Sequence, residues 1–129
     1  VQVRRNGFAF SQLRPYPAGG WEDWQGEARR LWERYIAVMS PSTVTRVAVR
    51  YINRIEIPES KFRPEKYFNS YLQIADPLGD IAGFLVRAEL IPHVDPEARL
   101  LLTQGVVNNP EFTAGPTILL DLDAFRHMS

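Results

Sequence analysis

Cysteine is missing from this chain altogether, and charge is missing in net: fifteen Lys and Arg balance fifteen Asp and Glu over 129 residues. The first absence excludes disulfides, thiolate nucleophiles, zinc fingers and iron–sulfur clusters together. The second excludes a free-standing electrostatic nucleic-acid binder, which carries net positive charge. No apolar run approaches the roughly 20 residues that span a bilayer, and no signal-peptide pattern opens the chain. The expectation is therefore a cytoplasmic protein with no membrane association. A G-x-S-x-G nucleophile elbow and a Gly-rich phosphate loop are also absent. Gly19-Gly20 runs into Trp21, Glu22 and Asp23, which is the wrong electrostatics for phosphate.

What is present is core material and punctuation. Hydrophobic residues make up 45% of the chain and aromatic residues 12%. Size scaling gives a folded surface of roughly 7,000 Å² against roughly 21,000 Å² for the extended chain. One domain over residues 1–129 is expected. The ten prolines exceed the usual frequency, and because proline breaks ladders and helix interiors, the blocks between them are the expected elements. The chain begins at Val1 rather than Met and enters a strand at once, which leads to the expectation of a fragment of a longer protein.

The first block, VQVRRNGFAF, reads as a strand whose apolar face changes from Val1 and Val3 to Phe8 and Phe10. Strict alternation forbids that change without a bulge or hairpin turn, and Asn6-Gly7 is the pair that permits either. Trp21, Trp24, Ala28, Leu31, Trp32, Tyr35, Ile36 and Met39 recur at spacings of three and four, which predicts a long amphipathic helix stopped by Ser40-Pro41. From Val44 to Ile57 the pattern alternates. Val47, Val49, Tyr51, Ile55 and Ile57 share one face with Asn53, while Arg46, Ala48, Arg50, Ile52, Arg54 and Glu56 share the other. That is a half-buried antiparallel strand. Pro64 opens a predicted short helix carrying Tyr67, Phe68, Tyr71 and Leu72. Strands follow over residues 84–91, 100–107 and 117–123. The order β-α-β-α-β-β-β predicts an α+β fold: an antiparallel, curved sheet of about five strands, with the long helix on one face.

Three constellations are candidate sites. Asp121 and Asp123 in ILLDLDAF lie at i and i+2 on a strand, point to one side, and form a candidate divalent-metal pair. The plainer reading is the solvated face of an edge strand. Arg46, Arg50 and Arg54 project from one strand face and are candidate ligand-binding groups for phosphate or carboxylate, since the guanidinium fork suits both. Exposed aromatics, which a nucleic-acid platform needs, do not accompany them, and Ala48 and Ile52 stand between them instead. Against the ligand reading stands cross-strand pairing with Glu56, Glu89, Asp121 and Asp123. Asn53, the one polar residue on the apolar face, needs a hydrogen-bond partner, either within the fold or in a ligand.

The segments FAFSQLRPYP, WEDW, RRLWERY and VTRVAVRYINRIEIP, with the later DPLGDIAGFLVRAEL, LLLTQG and ILLDLDAF, resemble an uncharacterised, sporadically distributed family of prokaryotic proteins about twice this length. The resemblance implies that the chain is the C-terminal part of such a protein. It implies no activity and no catalytic residues. The expected function is a non-catalytic protein-interaction or self-association domain, a homodimer or one docked on a protein partner, with no cofactor. The alternative is a metal- or nucleotide-dependent enzyme domain using Asp121 and Asp123 with Arg50 and Arg54.

Overall fold

The computed structural model describes residues 1–128, apart from the side chain of Asp76. It is an α+β protein with one α-helix and two antiparallel sheets, and it divides into two compact units, Val1–Val44 and Thr45–Ser129.

The first unit is a hairpin and a helix. Strands β1 (Gln2–Arg4) and β2 (Gly7–Ala9) pair antiparallel, with Arg4 opposite Gly7. The turn residues are therefore Arg5 and Asn6, one position earlier than the Asn-Gly pair predicts. Neither has a positive φ. Helix α1 (Gly20–Met39) begins at a glycine with φ of +64°, where any side chain would be strained. The Gly19 N–H donates to the Asp23 carboxylate at 3.0 Å, which occupies one of the helix's unpaired N-terminal donors. At the other end Ser40 adopts the left-handed conformation, its N–H donates to the Ile36 carbonyl, and Pro41 bars continuation. The predicted aromatic stripe packs on the hairpin. Phe8 lies 5.9 Å from Trp32 and 5.7 Å from Tyr35, and Phe10 lies 5.5 Å from Trp24. The Tyr35 hydroxyl donates to the Arg4 carbonyl at 3.2 Å.

The second unit is a four-stranded sheet in the order β3-β6-β5-β4, with every neighbour antiparallel. Its strands are β3 (Arg46–Glu56), β4 (Leu85–Leu90), β5 (Ala98–Val107) and β6 (Thr117–His127). The buried centre lies at one end of this sheet. Ile57 and Ile118 are fully enclosed there, beside the buried Gln104 and Thr117. The 58–84 connection supplies Phe62, stacked on Phe84 at 6.0 Å and edge-on to Phe68 at 6.5 Å. Asn109 ties the β5–β6 loop to the strands by donating to Glu56 at 3.0 Å and to the Thr117 hydroxyl at 3.1 Å.

Three expectations need correction. The expected single sheet of about five strands does not form. The N-terminal block instead closes on itself as a hairpin, because pairing across a two-residue turn costs little loop entropy. The expected second helix is a single 3₁₀ turn, Pro64–Lys66. Nucleating a helix is costly, and Phe62 and Phe68 are held by aromatic packing on either side of that one turn. The apolar face of β3 is a core surface only at its end. Ile57 is enclosed, whereas Val47 and Tyr51 stay about half exposed.

Gly115 sits where a Cβ would strike the carbonyl oxygens of Ile57 and Glu59. Gly115→Ala is expected to lower stability by about 1–3 kcal/mol, as overpacking does. Gly83→Ala, whose Cβ meets open space, should stay within about 0.5 kcal/mol of the parent. Urea unfolding of both variants checks the contrast.

Candidate functional site

The register between β3 and β6 decides what the charged candidates can do. Arg50 stands opposite Asp123, and Ile52 opposite Asp121. Residues directly opposite in an antiparallel pair share a face. Arg46, Arg50, Arg54, Asp121 and Asp123 therefore all lie on one side of the sheet.

Two ion pairs organise them. Arg50 reaches diagonally to Asp121 with a parallel fork, Nε to Oδ1 at 2.9 Å and Nη2 to Oδ2 at 2.5 Å. Arg46 extends along the strands over the ring of Phe125, its guanidinium carbon 4.5 Å from the ring centre. Its Nη2 meets Asp123 Oδ2 at 3.2 Å. The planar, delocalised guanidinium makes both stacking and a carboxylate contact possible in one side chain. The hydrogen bond from Arg50 holds the Asp121 carboxyl below the usual carboxylate range, with the positive charges of Arg50 and Arg87 acting the same way and partial burial opposing them. The same bond pushes the Arg50 guanidinium up.

Arg50, Arg87, Leu101, Thr103, Asp121 and Asp123 enclose a depression of about 230 Å³. Arg87 on β4 stands opposite Thr103 on β5, which in turn stands opposite Asp121. Arg54, opposite Leu119, is the other diagonal neighbour of Asp121, but it pairs with neither Asp121 nor Asp123 and does not line the depression. Asn53 faces the opposite side of the sheet, where its Nδ2 donates to the Leu120 carbonyl at 3.4 Å. Asn53 thus finds its partner in the neighbouring strand. The structure therefore gathers Arg46, Arg50, Asp121 and Asp123 and leaves Arg54 and Asn53 outside the group.

Chemically the group is an ion-pair ladder. Each carboxylate faces a guanidinium, and among the described residues no three His, Cys, Asp or Glu side chains converge in a way that could hold a metal ion. A divalent cation entering between Asp121 and Asp123 would have to displace or oppose the positive charge of Arg50. His127 lies edge-on to Phe125 at 5.5 Å, and His93 sits in the β4–β5 connection. Asp95 and Glu97, the acidic residues near His93, both pair with Arg126.

Two participants escape the sequence reading. Phe125 shares a face with Asp121 and Asp123 by parity, but its place beneath Arg46 follows only from the register. Thr103 becomes a neighbour of Asp121 through a pairing across the sheet. No protein-family model matches the chain, and no similar curated protein or solved structure is found.

Because Asp121 has a lowered pKa in the folded state, its pairing stabilises the fold above the unfolded carboxylate pKa, and that contribution is lost as pH falls through the folded-state value. Arg50 is more than half exposed, so solvent limits the gain to at most about 1 kcal/mol. Asp121→Asn should be less stable than the parent at neutral pH and converge with it in acid. Urea midpoints followed from pH 7 downward measure this. A gap that widens toward acid would contradict the pairing.

Proposed function

We propose that the chain is a non-catalytic interaction module that associates with a second copy or another protein through its four-stranded sheet. The observation that carries this reading is surface left uncovered. The chain exposes 10,045 Å². Two separate globules with the lengths of the two units would together expose roughly 8,300 Å². The excess is larger than the roughly 800 Å² that one partner covers in an interface of standard size.

The uncovered surface is also the right kind. Val47 is 52% exposed and Tyr51 48%, both on the apolar face of the edge strand β3, and Leu90 on the other edge strand is 43% exposed. An edge strand adds unpaired backbone donors and acceptors, which recruit other strands. The polar face offers less, since Asp121 and Asp123 are already engaged by Arg50 and Arg46. Among the described residues no helix is long and apolar enough to cross a membrane. A cytoplasmic location is part of the proposal and rests on no structural observation.

A metal- or nucleotide-dependent enzyme built on Asp121, Asp123, Arg50 and Arg54 is the competing reading. The ion pairs weigh against it, because Arg46 and Arg50 engage the carboxylates and Arg54 pairs with neither.

Light scattering after size-exclusion chromatography, at successive dilutions, tests the proposal without a known partner. The expected mass is twice the 14.8 kDa of one chain, falling toward one chain on dilution. A single-chain mass at every concentration, together with no partner captured through β3, would reject it. A magnesium- or manganese-dependent rise in melting temperature with nucleotide, abolished by Asp121→Asn, would replace it with the enzyme reading.

A further inference from the structure

We propose that β3 pairs with β3 of a second copy, antiparallel and about a two-fold axis at Tyr51, joining two four-stranded sheets into one of eight strands. This rests on the self-association reading above and names the surface and the register.

The free backbone groups of β3 can be assigned. Ile57 N–H donates to the Pro116 carbonyl at 3.0 Å, and Met128 N–H to the Thr45 carbonyl at 2.9 Å, so odd-numbered residues of β3 turn their backbone groups toward β6. Arg46, Ala48, Arg50, Ile52, Arg54 and Glu56 accordingly turn theirs outward along the free edge. A two-fold axis at Tyr51, the midpoint of Arg46–Glu56, pairs all six with none left over.

Charge selects the same register. With the axis at Tyr51, Arg46 stands opposite Glu56 of the second copy, Ala48 opposite Arg54, and Arg50 opposite Ile52. Moving the axis to Arg50 sets Arg50 against itself and Arg46 against Arg54. Moving it to Ile52 sets Arg50 against Arg54. Like charges directly opposite are destabilising. An axis at Asn53 would oppose Arg50 and Glu56, but it strands Arg46 and Ala48 and calls on an arginine already held by Asp121. At the Tyr51 axis the needed groups are available. Arg46 meets Asp123 through Nη2, and Glu56 accepts from Asn109 at Oε1, leaving Oε2 to the second copy.

The apolar face agrees. Tyr51 meets its own copy at the axis and Val47 lies opposite Ile55, so the half-exposed Val47 and Tyr51 both gain apolar neighbours. The other edge is built against self-pairing. Phe84 accepts from Val106 N–H, so Leu85, Arg87 and Glu89 turn outward on β4, and their full overlap would place Arg87 against Arg87.

The absence of cysteine makes the register directly testable, because one substitution introduces one thiol. Tyr51 and its copy would form a non-hydrogen-bonded pair with Cα atoms about 4.5 Å apart, within the disulfide range. Asn53 and its copy would be offset by about 13 Å along the strands. Mild oxidation of Tyr51→Cys should give mostly covalent dimer on a non-reducing gel, and Asn53→Cys little. Arg46→Glu should weaken dimerisation by about tenfold, since two symmetry-related pairs become repulsive, and Arg46→Glu with Glu56→Arg should restore it. Circular dichroism confirms that each variant folds. A dimer by light scattering in which Asn53→Cys cross-links and Tyr51→Cys does not, or in which the charge exchange fails to rescue, overturns this inference and leaves self-association standing. A chain that is monomeric throughout overturns both.

Discussion

Pairing of β3 with β6 along their whole length is the constraint on which the rest of this structure depends. Eleven residues of each strand stand opposite one another without a bulge. Side chains alternate with a period of two, so this one register assigns every residue of both strands to a face. It places Asp121 and Asp123 on the side of Arg46 and Arg50, and Ile118, Leu120 and Leu122 on the side of Val47, Val49 and Tyr51. A slip by one residue would set carboxylates among the aliphatic side chains, where an unpaired charge is far more costly than any gain in overlap.

The two faces then differ in what they leave undone. On the polar face Arg50 answers Asp121 and Arg46 answers Asp123, and Phe125 supports Arg46 from beneath. Exposed pairs of this kind contribute little to stability, with a median of about 0–1 kcal/mol. Their consequence is to neutralise a surface that would otherwise attract anions or cations. On the apolar face the enclosed centre is confined to the end near Ile57 and Ile118, and Val47 and Tyr51 of β3 stay half exposed. Removal of apolar area from water, at roughly 25 cal/mol per Å², is the larger available driving force. Charge is better suited to choosing a register than to driving association.

Much of the fold was legible in the sequence because it is local or periodic. Helix α1 begins one residue before the first apolar residue of its stripe and ends where Ser40-Pro41 predicts. The alternation in β3, the strands near residues 84–91 and 100–107, and the start of the last strand at Thr117 were all readable from period and punctuation. The site was half legible: face parity within β3 and within β6 is a sequence property, and the plainer reading of arginine pairing with Asp121 and Asp123 follows from it. Whether the two faces coincide is not, because it depends on which residue of one strand lies opposite which residue of the other. The 3₁₀ turn at Pro64 and the exclusion of the N-terminal hairpin from the larger sheet were not legible for a related reason. Tyr67 and Phe68 stand at helical spacing from Tyr71 and Leu72, but the packing of Phe62 on Phe68 and Phe84, distant in sequence or direction, outweighs a single turn of weak propensity.

Neutrality, the lack of thiol chemistry, the long helix and the two-faced β3 strand were determined by the amino-acid sequence alone, since composition is additive and side-chain direction repeats along the chain. The tertiary structure alone decided that β1 pairs with β2 instead of joining the larger sheet, that Arg46 and Arg50 meet the carboxylates while Arg54 pairs with neither, and that β3 is an edge. Each of these is a choice of partner between distant segments. Such choices rest on loop entropy, register and mutual burial, which no single segment carries by itself.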